Sequence, residues 1–146
     1  MRTWEAGLGP SDVLLVRAHN HDKVLAQYAG SSERVLNVSR YPDAQDLLAI
    51  SDVLVTDYSS MFFDFAATGR PIIFFPYDLE EYRDEVRGFY FDLQAEAPGP
   101  LARRVEDLVE YVRGADQLPG YAEFVHRHCP HDDGHASERV LERVLG

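Results

Sequence analysis

At 146 residues the chain has the length of one domain, and its 45% hydrophobic and 12% aromatic content is enough to bury a core, which excludes intrinsic disorder. The 14 Lys and Arg stand against 25 Asp and Glu, a net charge of -11, which excludes a duplex-DNA binder built on clustered cations; no nucleic-acid partner is expected. There is no run of 18 apolar residues to cross a membrane, Met1–Pro10 lacks the pattern of a secretory leader, and a lone Cys129 makes no internal disulfide, so a cytosolic compartment is expected.

In chain order, Val13–Arg17 is a short apolar run that predicts a buried strand, ending in the polar turn Ala18-His19-Asn20-His21-Asp22. Arg34–Val38 predicts a second strand with Ser39-Arg40-Tyr41-Pro42 as its exit loop. Asp43 is placed to cap a helix over Ala44–Ile50, with Leu47, Leu48 and Ile50 expected on one side. Asp52–Val55 predicts a third strand, followed at once by the turn Thr56-Asp57-Tyr58-Ser59-Ser60. Met61–Ala67 predicts a helix stopped by Gly69. Ile72–Phe75, between Pro71 and Pro76, is continuously apolar, as parallel strands buried on both faces are. Tyr77–Pro100 reads as a mostly irregular acidic loop with a helical turn over Leu79–Asp84, closed by Pro98-Gly99-Pro100. Val105–Arg113, Tyr121–His128 and Ser137–Leu145 predict three further helices.

Strands alternating with helices predict an α/β fold with a parallel sheet, in which ligands bind at the C-terminal strand edge. The strand-exit loops His19–Asp22, Ser39–Asp43 and Thr56–Ser60 are therefore the candidate sites. In Thr56–Ser60, a strand meets a helix whose first N–H groups are unpaired and whose terminus carries about half a positive charge. Hydroxyls of Ser59 and Ser60 add donors, so the turn suits a phosphate without needing Lys. The same residues also read as a plain helix cap, and the two readings are compatible.

Arg17-Ala18-His19-Asn20-His21 offers a histidine able to act as acid, base or cationic phosphate contact, or else a solvated turn. Arg83 and Arg87, four apart, offer a forked donor pair for phosphate, or ion pairs within an acidic loop. The cluster His126, His128, Cys129, His131 and His135 has no zinc-site spacing. Asp133-Gly134 reads as a turn, with Ser137 as a possible cap of the last helix.

Val53-Leu54-Val55-Thr56-Asp57-Tyr58-Ser59-Ser60, Phe62-Phe63-Asp64-Phe65, Arg70-Pro71-Ile72-Ile73-Phe74-Phe75, Tyr77-Asp78-Leu79-Glu80-Glu81-Tyr82-Arg83, Arg87-Gly88-Phe89-Tyr90-Phe91-Asp92 and Pro98-Gly99-Pro100 follow one another in order. Together they resemble the CDP-glycerol glycerophosphotransferase family, the wall teichoic acid polymerases and primases, from about Val13 to the C-terminus. The resemblance implies a GT-B fold, two Rossmann-like halves across a cleft. The C-terminal half binds CDP-glycerol, and glycerol phosphate passes to a hydroxyl of a lipid-linked acceptor with release of CMP. It implies His19 as the catalytic group near the donor phosphates. As substrate-binding residues it implies Arg17 in the Arg-x-His of that histidine, Ser39 and Arg40 on the loop near the cytidine, Ser59 and Ser60 at the phosphates, Asp57 as organiser of that turn, Arg87, and Asp133 with Ser137 in a C-terminal Asp-Gly-x-Ala-Ser element. No cofactor or metal is implied; whether a divalent ion takes part stays open.

Residues 1–146 are thus expected to form one Rossmann-like parallel-sheet domain with flanking helices, the C-terminal half of a GT-B fold truncated at its N-terminus. The N-terminal half, with the acceptor site and a second catalytic histidine, is expected to be supplied in cis or in trans. The alternatives are a catalytically silent nucleotide-binding module and a GT-B half using CDP-ribitol or a UDP-sugar. Full-length enzymes acting on lipid-linked acceptors imply a peripheral place at the inner face of the cell membrane.

Overall fold

The short apolar runs form parallel pairs. In the computed structural model, which describes residues 7–18, 32–57, 59–76, 93–115 and 119–146 (Gln94 by its backbone alone), β1 (Leu14–Val16) lies beside β2 (Val35–Asn37) with Leu14 opposite Val35. Likewise β3 (Leu54–Thr56) lies beside β4 (Ile72–Phe74), with Leu54 opposite Ile72 and Thr56 opposite Phe74. The chain passes β4 again on its other side: Phe74 donates its N–H to the Pro100 carbonyl at 2.9 Å, and Ala102 donates to Phe74 at 2.7 Å. Among the described residues the two strand pairs are not hydrogen-bonded to each other. The result is a mixed α/β fold with short parallel sheets and flanking helices, coarser than the single sheet expected.

The helices are α1 (Ala44–Ile50), α2 (Met61–Ala66), α3 (Leu93–Glu96), α4 (Val105–Arg113), α5 (Tyr121–His128) and α6 (Ala136–Leu145). The Asp43 carboxylate accepts the Gln45 N–H at 2.8 Å and caps α1 as its position predicts. Gly69 takes a φ of 71° just past α2, a left-handed conformation that suits glycine.

Three expectations are corrected. Ile50 is 69% exposed whereas Leu48 is buried; residues two apart on a helix point about 200° apart, so they cannot share a face. A helical turn, α3, ends the segment read as loop up to Pro100. Ser137 lies inside α6 rather than capping it, because Asp133 accepts the His135 N–H at 3.0 Å and starts the helix earlier. The helical turn expected over Leu79–Asp84 lies outside the described residues.

Burial on both faces of β4 organises the core. Ile72 and Phe74 face Phe62, Phe65, Leu93, Tyr121 and Phe124, while Ile73 faces Ala102 and Leu108 on the other side. This is the period-two alternation of a strand covered by helices on both faces. Ring packing ties α2 to α5 and β4: Phe62 meets Phe74 edge-on at 5.2 Å, and Phe63 stacks on Phe124 at 5.7 Å. No described helix is long and apolar enough to cross a membrane.

Candidate functional site

The strand-exit loops meet through side chains. Because β1 and β2 run parallel, their exits share one edge, and Ala18 there donates its N–H to the Ser39 hydroxyl at 3.0 Å. Arg17 reaches across the same edge, donating from Nη1 to the Tyr41 carbonyl at 2.7 Å. Ser39 donates its own N–H to Asn37 Oδ1 at 3.0 Å. Arg17 and Ser39 thus both lie at the joined exits of β1 and β2, and each already carries part of the loop framework. The remaining guanidinium N–H groups of Arg17 and the Ser39 hydroxyl proton are still able to meet a ligand. Arg40, next along, is exposed.

The exit of β3 is built from its own turn. The Asp57 carboxylate accepts the Ser59 N–H at 3.0 Å, an Asx turn that organises the loop as expected of Asp57. The Ser59 hydroxyl accepts the Met61 N–H at 3.4 Å, so Ser59 acts as a local cap. Both serines are exposed, and α2 starts directly beyond them. The turn therefore sets two hydroxyls at a strand exit, whereas the first amides of α2 are not free as expected: Met61 donates to the Ser59 hydroxyl, Phe62 to the Ser59 carbonyl at 3.4 Å and Phe63 to the Ser60 carbonyl at 3.1 Å. Gln45, in the first turn of α1, donates to the Asp64 carboxylate of α2 at 3.3 Å. That bond links α1, which follows β2, to α2, which follows β3.

Other predicted residues fall elsewhere. His19 and Arg87 lie outside the described residues. Asp133 is held by Arg139, whose Nη1 donates to both carboxylate oxygens at 2.8 Å, while Nη2 donates to the His131 carbonyl at 2.6 Å. The Arg139 guanidinium keeps the Asp133 carboxyl below the usual carboxylate range. Asp133 therefore has a structural task in starting α6, and Ser137 is exposed on the first turn of that helix.

Among the described residues no three His, Cys, Asp or Glu gather to hold a metal. Cys129 is buried and directed at the Phe63 carbonyl, 3.6 Å away, and burial pushes its thiol up. A hollow of about 280 Å³ beside Pro71, Ile73, Glu110 and Tyr111 lies at the entrance end of β4, away from the strand exits. The residue that sequence reasoning passed over is Tyr41. Its one signal was its position before Pro42 in a strand-exit loop, which restricts its backbone to extended conformations.

In parallel α/β folds as a class, ligands that carry phosphate bind outside the C-terminal ends of the strands. The family model for CDP-Glycerol:Poly(glycerophosphate) glycerophosphotransferase matches residues 1–146. The chain is 39% identical over 148 residues to the teichoic acid poly(glycerol phosphate) polymerase of Bacillus subtilis, covering 94% of this chain and 19% of the relative. It is 40% identical over 138 residues to the teichoic acid glycerol-phosphate transferase of Staphylococcus aureus, covering 91% of this chain and 35% of the relative. The solved wall teichoic acid polymerase TagF superposes with a TM-score of 0.86 at 31% identity, covering 99% of this chain and 37% of that one. Further matches carry ribitol phosphate in their names. The chain belongs to the CDP-glycerol glycerophosphotransferase family, a family of transferases. It spans about a fifth to a third of the length of these curated relatives.

Proposed function

We propose that this chain is the CDP-glycerol-binding half of a teichoic acid glycerophosphotransferase. The observation that carries the reading is the β3 exit, where the hydroxyls of Ser59 and Ser60 stand exposed, together with Arg17, Ser39 and Arg40 at the exits of β1 and β2. Neutral donors and a few arginines suit one small anion on a chain of net charge -11.

In this reading a hydroxyl oxygen of a lipid-linked acceptor attacks the phosphorus that bears glycerol. The bond from that phosphorus to the bridging oxygen breaks, CMP leaves, and the hydroxyl proton passes to a base. Ser59 and Ser60 hold the donor phosphates, Arg87 adds a cationic contact, and His19 stabilises the charge that develops there. Ser39 and Arg40 lie toward the cytidine, Arg17 is a further contact to the donor, and Asp133 with Ser137 lines the cleft. The acceptor site, with the base, comes from an N-terminal half in cis or in trans, at the inner face of the cell membrane. No cofactor enters this scheme.

The ribitol-named relatives favour a second reading in which the donor is CDP-ribitol. Calorimetric titration of the chain with CDP-glycerol, CDP-ribitol, CMP and UDP-glucose tests both. Selective binding of cytidine ligands is expected, and the better of the two polyol donors identifies the substrate. Equal binding of UDP-glucose, or binding of none, overturns the proposal. Turnover on adding a separately expressed N-terminal half distinguishes a transferase half from a silent binding module.

A further inference from the structure

Among the described residues, two tyrosines are exposed by more than a third, Tyr41 and Tyr111. Tyr111 sits on α4 near the entrance of β4. Tyr41 sits at the opposite end, where the β1 and β2 exits meet, and it is held from several directions. Its N–H donates to the Val38 carbonyl at 3.0 Å, and its carbonyl accepts from Arg17 at 2.7 Å. Its hydroxyl donates to Asp46 of α1 at 3.1 Å. Asp46, with Asp43 adding to the effect, raises the phenol above its usual range, so the hydroxyl stays protonated and the anchor persists across neutral pH.

An exposed tyrosine ordinarily samples several rotamers, and ordering it costs entropy. Here both the backbone and the far end of the side chain are fixed while the residue remains 42% exposed. A ring ordered in advance and left open to solvent at the ligand edge of parallel strands is a surface for a flat aromatic partner.

We propose that Tyr41 is the stacking platform for the cytosine ring of the donor, with Arg17 and Asp46 as the positioning residues that hold it. The proposal rests on the donor reading above and adds to it the residue that meets the base. Stacking does not depend on the pattern of donors and acceptors around a base, so Tyr41 supplies affinity for the ring while choice among pyrimidines lies with other groups.

The test uses CMP and ribose 5-phosphate, which share the sugar and phosphate and differ in the base. Wild type, Tyr41→Leu and Tyr41→Phe are titrated with each, and the cytosine H5 and H6 resonances are followed. The expected result is that Tyr41→Leu weakens CMP about tenfold and leaves ribose 5-phosphate unchanged, while Tyr41→Phe, which keeps the ring and loses the Asp46 anchor, weakens CMP by a smaller factor of about two to three. Wild type and Tyr41→Phe are expected to shift H5 and H6 upfield by ring current, a shift lost in Tyr41→Leu. Equal CMP affinity in wild type and Tyr41→Leu, or an equal loss for both ligands, overturns the platform and leaves the donor reading standing. Failure of the wild type to bind CMP overturns both. The wild-type ring-current shift decides the matter if Tyr41→Leu does not fold: its absence from bound CMP overturns the platform.

Discussion

The Tyr121 hydroxyl donates to the Arg70 backbone carbonyl at 2.8 Å and lies 3.3 Å from that of Ala66, joining α5 to the end of α2 and the entrance of β4. Tyr121 is buried, and burial raises its phenol to about 12. Tyr121→Phe removes the donor to the Arg70 carbonyl, a loss of about 1–2 kcal/mol in urea unfolding. The phenol has a higher value folded than unfolded, so its contribution is full below the usual value of 10 and is lost as pH rises toward 12. The stability difference between wild type and Tyr121→Phe should shrink over that alkaline window. A difference that stays constant there would show that the phenol does not titrate with folding.

Gly99 occupies a place where a side chain does not fit. A Cβ there would lie 1.8 Å from the Ile72 carbonyl oxygen, a backbone atom of the most buried strand. Gly99→Ala must push Pro100 away from β4, and the Phe74-to-Pro100 hydrogen bond is lost with it. The expected cost is about 3 kcal/mol in chemical unfolding. A variant as stable as the wild type would mean that the second pass beside β4 carries little of the fold.

Asp133 and Arg139 start α6, and the carboxyl is held below its usual range. A depressed group stabilises above its unfolded value and loses that effect as pH falls through the folded one. The protection of the Arg139 amide, which donates to the His135 carbonyl, taken relative to intrinsic exchange at each pH, should therefore fall on acidification through and below the usual carboxylate range. Asp133→Asn should show low protection at every pH. Identical pH profiles in the two proteins would separate α6 from this ion pair.

Ser59 and Ser60 are read as donors to phosphate. The double substitution to Ala should weaken CDP-glycerol by about 1–3 kcal/mol in calorimetry, since hydrogen bonds to a charged group are lost. The loss of the Ser59 cap should lower stability by only about 0.5–1 kcal/mol. Unchanged donor affinity would remove the phosphates from this turn.

The order of strands and helices was legible in the sequence because each element carries its own period and punctuation. Ile72–Phe74 is uniformly apolar between prolines, and β4 is buried on both faces. Asp43 and Asp57 bond to amides two residues away, within reach of local reasoning. Ile50 and Ser137 were misplaced for related reasons: apolar character was weighed above the 100° step of a helix, and a serine above the aspartate preceding it.

The sequence by itself determined the family, the element order and the loops that bear the chemistry, since these rest on contiguous motifs and short-range hydrogen bonds. Only the tertiary structure decided how individual side chains are engaged. Arg17 gives one donor to Tyr41, 24 residues on, and Tyr121 gives its hydroxyl to Arg70, 51 residues back. Such partners are chosen by which strand exits and helix ends meet in space, and no local period records that choice.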